Sequence, residues 1–176
     1  MRGFIVMLFL AVLTHQAYGF ESLQYAYNMS GPAMGYDKYV QLDPDIEYQG
    51  DLVIESAGRI MIDGGGAKIF PSYMLQSVMV ENSTLDISGC VFIMNMNSIT
   101  YGIGSDGKIF QNTIYGNDHS GIYIREHNSD PGIEIYDNII ANCENGIMVA
   151  PYYYAEYIGY NIVFNSNAYN YAIDNC

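Results

Sequence analysis

A chain of 176 residues, half of them hydrophobic and 14% charged, has the length of one domain and too apolar a composition for a disordered polymer. Six Lys and Arg stand against 19 Asp and Glu, a net charge of −13; this excludes a nucleic-acid partner, whose phosphates need a basic face, and docking on an anionic membrane. Eighteen Gly and 18 Tyr with no Trp argue against helical bundles and doubly wound nucleotide folds, because Gly is costly in helices and aromatics are at best neutral there.

The amino terminus has a positive start at Arg2, an apolar run from Gly3 to Leu13, polar Thr14 to Gln16, and then Ala17-Tyr18-Gly19. That order is a secretory signal peptide, residues 1–19, with cleavage after Gly19. The run is too short to span a bilayer, which takes about 20 residues, and no second apolar stretch follows. The expected location is secreted, extracellular or periplasmic, with no membrane span. Taking Arg2 from the six basic residues leaves five, and the net charge becomes −14.

Residues 20–48, with Gly31-Pro32 and Asp43-Pro44, read as an irregular lead-in that supplies an amino-terminal cap. Asn28-Met-Ser30 and Asn82-Ser-Thr84 match the glycosylation sequon. Gly64-Gly65-Gly66 lacks the helix and the Lys-Ser/Thr of a phosphate loop and reads as a corner. The three cysteines, Cys90, Cys143 and Cys176, are odd in number and fit no zinc spacing; Cys90 and Cys143 are expected as buried free thiols.

From about residue 49 the chain repeats itself every 23 to 26 residues. Lys108-Ile-Phe-Gln-Asn112-Thr-Ile114 compares with Glu134-Ile-Tyr-Asp-Asn138-Ile-Ile140 and with Tyr157-Ile-Gly-Tyr-Asn161-Ile-Val163. Gly64 and Gly89 take the Asn position in two earlier copies. A second marker, Gly121-Ile-Tyr-Ile124, returns as Gly146-Ile-Met-Val149. Each copy holds short runs of alternating apolar residues, separated by Gly, Asn and Asp that tolerate tight corners. One copy cannot bury its own apolar face, so copies must stack into a continuous core, with Asn amides bonding to one another along a corner. Residues 49–166 are therefore expected to form the coils of a parallel β-helix, about five in number, followed by a tail at 167–176.

The stretches Val40-Gln-Leu-Asp-Pro-Asp-Ile-Glu-Tyr48-Gln-Gly50-Asp-Leu-Val-Ile54 and Ile60-Met-Ile-Asp-Gly-Gly-Gly-Ala-Lys-Ile69 resemble the first coils of the right-handed parallel β-helix, or pectin-lyase-like, superfamily. The resemblance runs to about Asn165. It implies an all-β, single-stranded, right-handed solenoid; the handedness comes from the resemblance alone. Members have more coils and a closing cap, whereas the tail from Asn167 to Cys176 shows no amphipathic helix. The expectation is a chain truncated at its carboxyl end, whose open last coil invites self-association. Polygalacturonase-like members carry Asp-Asp, Gly-His-Gly and Arg-Ile-Lys, none of which occurs here, and pectate-lyase motifs are absent as well.

Chemistry on such a fold sits on outer faces and loops. The loop at Arg125-Glu126-His127-Asn-Ser-Asp130-Pro-Gly, the loop one coil later at Pro151-Tyr152-Tyr153-Tyr154-Ala-Glu156, and Asp106 one coil earlier fall on one edge. Tyr152, Tyr153, Tyr154, His127 and Glu126 form the candidate sugar-binding set, since a Tyr ring offers an apolar face with a polar tip. Arg125, Asp106 and Asp130 are the catalytic candidates, and Asp106, Asp130 and Glu156 an oxygen set for Ca²⁺. Asp beside Gly, and Tyr-rich loops, are equally ordinary turn chemistry and core cover. His119, before Gly121, reads as a structural histidine. The function expected is an exported module that binds a polysaccharide or cell-surface glycan without turnover. The alternative is a polysaccharide lyase or glycoside hydrolase, or an inactive fragment of one. No cofactor is required beyond the Ca²⁺ option.

Overall fold

The computed structural model describes residues 20–72, 76–125, 132–150 and 157–173. The chain opens with β1 (Glu21–Ser22), α1 (Leu23–Met29), β2 (Gly31–Ala33), β3 (Tyr36–Gln41) and β4 (Glu47–Gln49). Two long strands, β5 (Leu52–Asp63) and β7 (Gln76–Ser88), are separated by β6 (Lys68–Phe70). Short strands then succeed one another: β8 (Val91–Ile93), β9 (Asn97–Tyr101), β10 (Gly107–Phe110), β11 (Thr113–Tyr115), β12 (Ser120–Ile124), β13 (Ile133–Tyr136) and β14 (Ile139–Ala141). The last are β15 (Asn145–Val149), β16 (Tyr157–Gly159), β17 (Ile162–Phe164) and β18 (Tyr169–Ile173). No helix among the described residues is long and apolar enough to cross a membrane.

Apart from the β2–β3 hairpin every pairing is parallel and joins one turn to the next, which makes the chain a β-solenoid of about six turns. The count exceeds the expected five because β3 and β4, inside the lead-in, already pair with β5 and β6 as the first rung. At the other end β18 lies within the expected tail and pairs with β15. Three faces enclose the core. Face one is the sheet β1-β4-β6-β8-β11-β14-β17. Faces two and three belong to one sheet that bends, because β5 and β7 each run through a corner. Ser56 (φ 50°), Gly58 (φ 79°) and Asn82 (φ 47°) take the left-handed backbone that the corner needs. Face two then holds β9, β12, β15 and β18, and face three holds β3, β10, β13 and β16.

Alternation sends every second column of each face inward. Val40, Ile62, Ile87, Ile109 and Ile135 stack in register on face three, and Tyr48, Ile69, Phe92, Ile114 and Ile140 on face one. All ten are buried. At roughly 25 cal/mol per Å² of apolar area, such columns supply the main stabilisation. Lead-in helix α1 is capped by the Ser22 hydroxyl, which accepts from Tyr25 N–H at 3.1 Å, and it lays fully buried Leu23 into the same core.

The expected Asn ladder is present. Asn112 N–H and Nδ2 donate to Asn138 Oδ1 at 3.0 and 3.1 Å, and Asn138 N–H and Nδ2 to Asn161 Oδ1 at 3.0 and 2.9 Å. The phase in the earlier copies is corrected by one residue or more. Cys90, not Gly89, sits below Asn112 and donates its N–H to Asn112 Oδ1 at 3.0 Å, and Ala67, not Gly64, sits below Cys90. Gly89 aligns instead with Gln111, and Gly89, Gln111, Asp137 and Tyr160 all have positive φ. Each copy thus has a left-handed corner residue followed by an inward residue; the first is filled by several residue types, and Asn marks the second in the later copies. The second marker holds its register, with Ile122 on Ile147 and Tyr123 on Met148.

Cys90 and Cys143 are free and fully buried, as expected; Cys176 lies outside the described residues. Burial, together with the charge of Asp63, pushes the Cys90 thiol far up, and burial raises Cys143. Peptide-level mass spectrometry after iodoacetamide treatment should show both alkylated roughly a hundredfold more slowly in the folded chain than in denaturant. Rapid native labelling of Cys90 would contradict this placement.

Candidate functional site

The corner joining face two to face three carries the loops picked out from the sequence. Arg125 follows β12, and its N–H donates to the carbonyl of Tyr101 at 2.8 Å, which sets it on the rung above Gly102. Ala150 continues that column through a bond to Ile124 O at 2.8 Å, while Glu81 lies below Gly102 and Glu55 below Glu81. A Cβ on Gly102 would come within 2.9 Å of Glu81 Cγ, so the glycine makes room for that carboxylate. Asp106 closes the Gly102 loop. Its N–H bonds to Ser83 O, its carbonyl accepts from Leu85 N–H, and it bridges to Thr84. Asp106 Oδ1 is buried with no hydrogen-bond partner among the described residues. Asp106 and Arg125 both lie at this stacked corner. Glu126, His127, Asp130, Tyr152, Tyr153, Tyr154 and Glu156 lie outside the described residues. Of the proposed Ca²⁺ set only Asp106 is described, and among the described residues no three His, Cys, Asp or Glu side chains gather to hold a metal.

Next to this corner, the outer surface of face three carries a polar network that sequence reasoning did not assemble. Its register stacks Met61, Asp86, Lys108, Glu134 and Tyr157 in one outward column, and Asp63, Ser88, Phe110, Tyr136 and Gly159 in the next. Asp86 is 4% exposed, and its burial is compensated from three sides. Tyr36 Oη donates to Oδ2 at 2.7 Å, Lys108 N–H donates to Oδ1 at 3.0 Å, and Arg59 Nη2 stands 3.6 Å from Oδ2. The Arg59 guanidinium also lies over the Tyr36 ring, 4.7 Å from its centroid. Burial first, then the bond to Asp86, raises the Tyr36 hydroxyl above its ordinary range, and Arg59 partly offsets this. Tyr39 Oη donates to Asp63 Oδ2 at 2.8 Å, and Lys108 Nζ meets Glu134 Oε1 at 3.0 Å. The Phe110 and Tyr136 rings stack across rungs with centroids 5.3 Å apart and planes 13° from parallel.

Asp86→Ala would leave the Tyr36 hydroxyl and the Lys108 amide without their acceptor. A loss of about 2–4 kcal/mol is expected from the denaturant midpoint, and roughly half of that for Asp86→Asn, which keeps an accepting oxygen. Equal losses for the two variants would show that the network contributes only through its volume. His119 behaves as a structural residue, with Nδ1 3.0 Å from Asn97 Oδ1 and 2.9 Å from Ser120 Oγ beneath the corner that precedes face two.

Compared with models of protein families, with curated proteins and with solved structures, the chain matches none. Fold and surface together define a parallel β-solenoid repeat protein, with one polar face that borders a loop-bearing corner.

Proposed function

We propose that this chain is an exported parallel β-helix of the pectin-lyase-like kind that binds an extended glycan along face three and the adjoining corner without cleaving it. The observation that carries the reading is the outer surface of face three, where Tyr36, Tyr39 and Tyr136 are interleaved with Asp86, Lys108 and Glu134, each held by its neighbours. Rings at the two ends of this surface, Tyr36 and Tyr39 on β3 and stacked Phe110 and Tyr136 on β10 and β13, bracket fixed polar groups on rungs about 4.8 Å apart, which suits a polymer with a hydroxyl-rich rim and apolar ring faces. The same bonds speak against turnover on this face. A general acid or base needs a proton position open to substrate, whereas Asp86, Asp63 and Glu134 already accept from Tyr36, Tyr39 and Lys108. An acidic glycan would need Ca²⁺ to bridge it to so acidic a chain. The enzyme reading stays attached to one feature, the buried Asp106 Oδ1, which has no hydrogen-bond partner among the described residues and lies at the corner that Arg125 also borders.

Electrophoresis of the full chain through gels containing neutral or acidic polysaccharides, with and without Ca²⁺, tests this. Retardation by at least one glycan is expected, weakened roughly tenfold in Tyr136→Ala, with no new reducing ends and no unsaturated products. Turnover that disappears in Arg125→Ala would replace binding by catalysis at the corner. A folded chain with neither retention nor turnover would remove both readings.

A further inference from the structure

Face one differs from face three. One of its outward columns begins with Glu47 and Lys68, paired at 3.6 Å, and beyond that pair neither column carries a charge. One column continues as Val91, Thr113, Ile139 and Ile162, and the other as Phe70, Ile93, Tyr115, Ala141 and Phe164. Ile139 is 44% exposed, Ile162 59%, Tyr115 50% and Phe164 50%, with Met94 at the border 64%. Acids flank one of its rungs, Asp137 at the corner before β14 and Glu144 after it. A contiguous apolar patch with a polar rim marks an interaction surface.

We propose that face one docks on the same face of a second copy of this chain. Three features select that occupant. The whole chain carries −13, and this strip lets two copies meet without opposing like charges at the contact. Its side chains form ridges at the rung spacing of about 4.8 Å, and a second solenoid presents matching grooves, as between stacked flat sheets. The exposed fractions of Ile139, Ile162, Tyr115, Phe164 and Met94, at about 200 Å² for a fully exposed large side chain, amount to roughly 500 Å² per copy. That places the pair near the lower end of specific interfaces, and so predicts a reversible dimer. An antiparallel arrangement opposes the four uncharged rungs and leaves Glu47 and Lys68 beyond the partner's end, in water. Self-association then runs through a sheet face and not through the edge of the last coil.

Sedimentation equilibrium of the full chain over a concentration series is the test, with circular dichroism to confirm the fold of each variant. The wild-type chain is expected to pass from monomer to dimer, and Ile139→Lys and Ile162→Lys, each at a half-exposed position, to weaken the dimer roughly tenfold or more. Val53→Lys, at an exposed position on face two, should leave it unchanged. A chain that stays monomeric throughout, or a dimer untouched by both face-one variants, would overturn the proposal. So would a monomer that floats with neutral phosphatidylcholine vesicles through Ile139, which would assign the face to lipid.

Discussion

Replacing Gly107 by Ala is expected to cost roughly 4 kcal/mol or more and to disrupt the rung that starts with β10. Gly107 stands in an inward column between Leu85 and Ile133, and its φ of 122° is one that side chains rarely adopt. A Cβ there would lie 2.0 Å from the carbonyl oxygen of Leu85, a backbone atom that cannot move aside without parting β7 from β10. The same carbonyl accepts the buried hydroxyl of Tyr101, so the glycine and the tyrosine form one packing unit. Urea denaturation followed by circular dichroism checks this, with Gly31→Ala as control. Gly31 has an ordinary φ and nothing within 4 Å of an added Cβ, and its change should fall within about 0.5 kcal/mol. Similar midpoints for the two variants would sink the explanation.

The second large effect is expected at the centre of the Asn ladder. Asn138 accepts both amides of Asn112, and its own Nδ2 donates to Ile109 O, Tyr136 O and Asn161 Oδ1, each at 2.9 Å. Asn138 is 1% exposed, so Asn138→Ala strips partners from several groups that water cannot reach. A destabilisation of about 3–5 kcal/mol should follow. Asn161→Ala should cost about 1–2 kcal/mol, because Asn161 has a ladder partner on one side only and is half-buried. Hydrogen exchange on the two variants gives the finer check. Loss of protection should centre on β10, β11, β13 and β14 in Asn138→Ala and move towards β16 and β17 in Asn161→Ala. Equal, chain-wide loss of protection in both would argue that the ladder is not what holds these rungs together.

The ladder was legible in the sequence because an Asn amide is self-complementary at the rung spacing, so the same residue recurs. The left-handed corner before it was misplaced because Gly89, Gln111, Asp137 and Tyr160 all fill it. Four residue types in one slot leave no signature, and Gly89 was read as the neighbouring position. The first rung was hidden because β3 pairs with β5 through Lys38, Tyr39, Val40 and Gln41, which carry neither the Asn nor the Gly-Ile marker of the later copies. Asp106 and Arg125 were visible as polar residues where apolar alternation lapses. The Asp86 network was not, since Tyr36 and Asp86 are 50 residues apart and only the folded register shows that they meet. Face one escaped for a related reason. In Ile139-Ile140 and Ile162-Val163-Phe164 the outward residue is as apolar as the inward one, so periodicity gives no hint of what faces water.

The stacked corner has a consequence for how such a chain changes length. Residues 90–111 start at the inward position below Asn112 and stop on the left-handed residue just before it. A tandem duplication of that segment would hand the next copy the same backbone geometry that it received. No existing rung would need to shift, and the new one would find a partner on either side. Height becomes a quantity that gene duplication can adjust in steps of about 4.8 Å, so a surface laid along the coils can be lengthened to match a polymer without redesigning any rung of it.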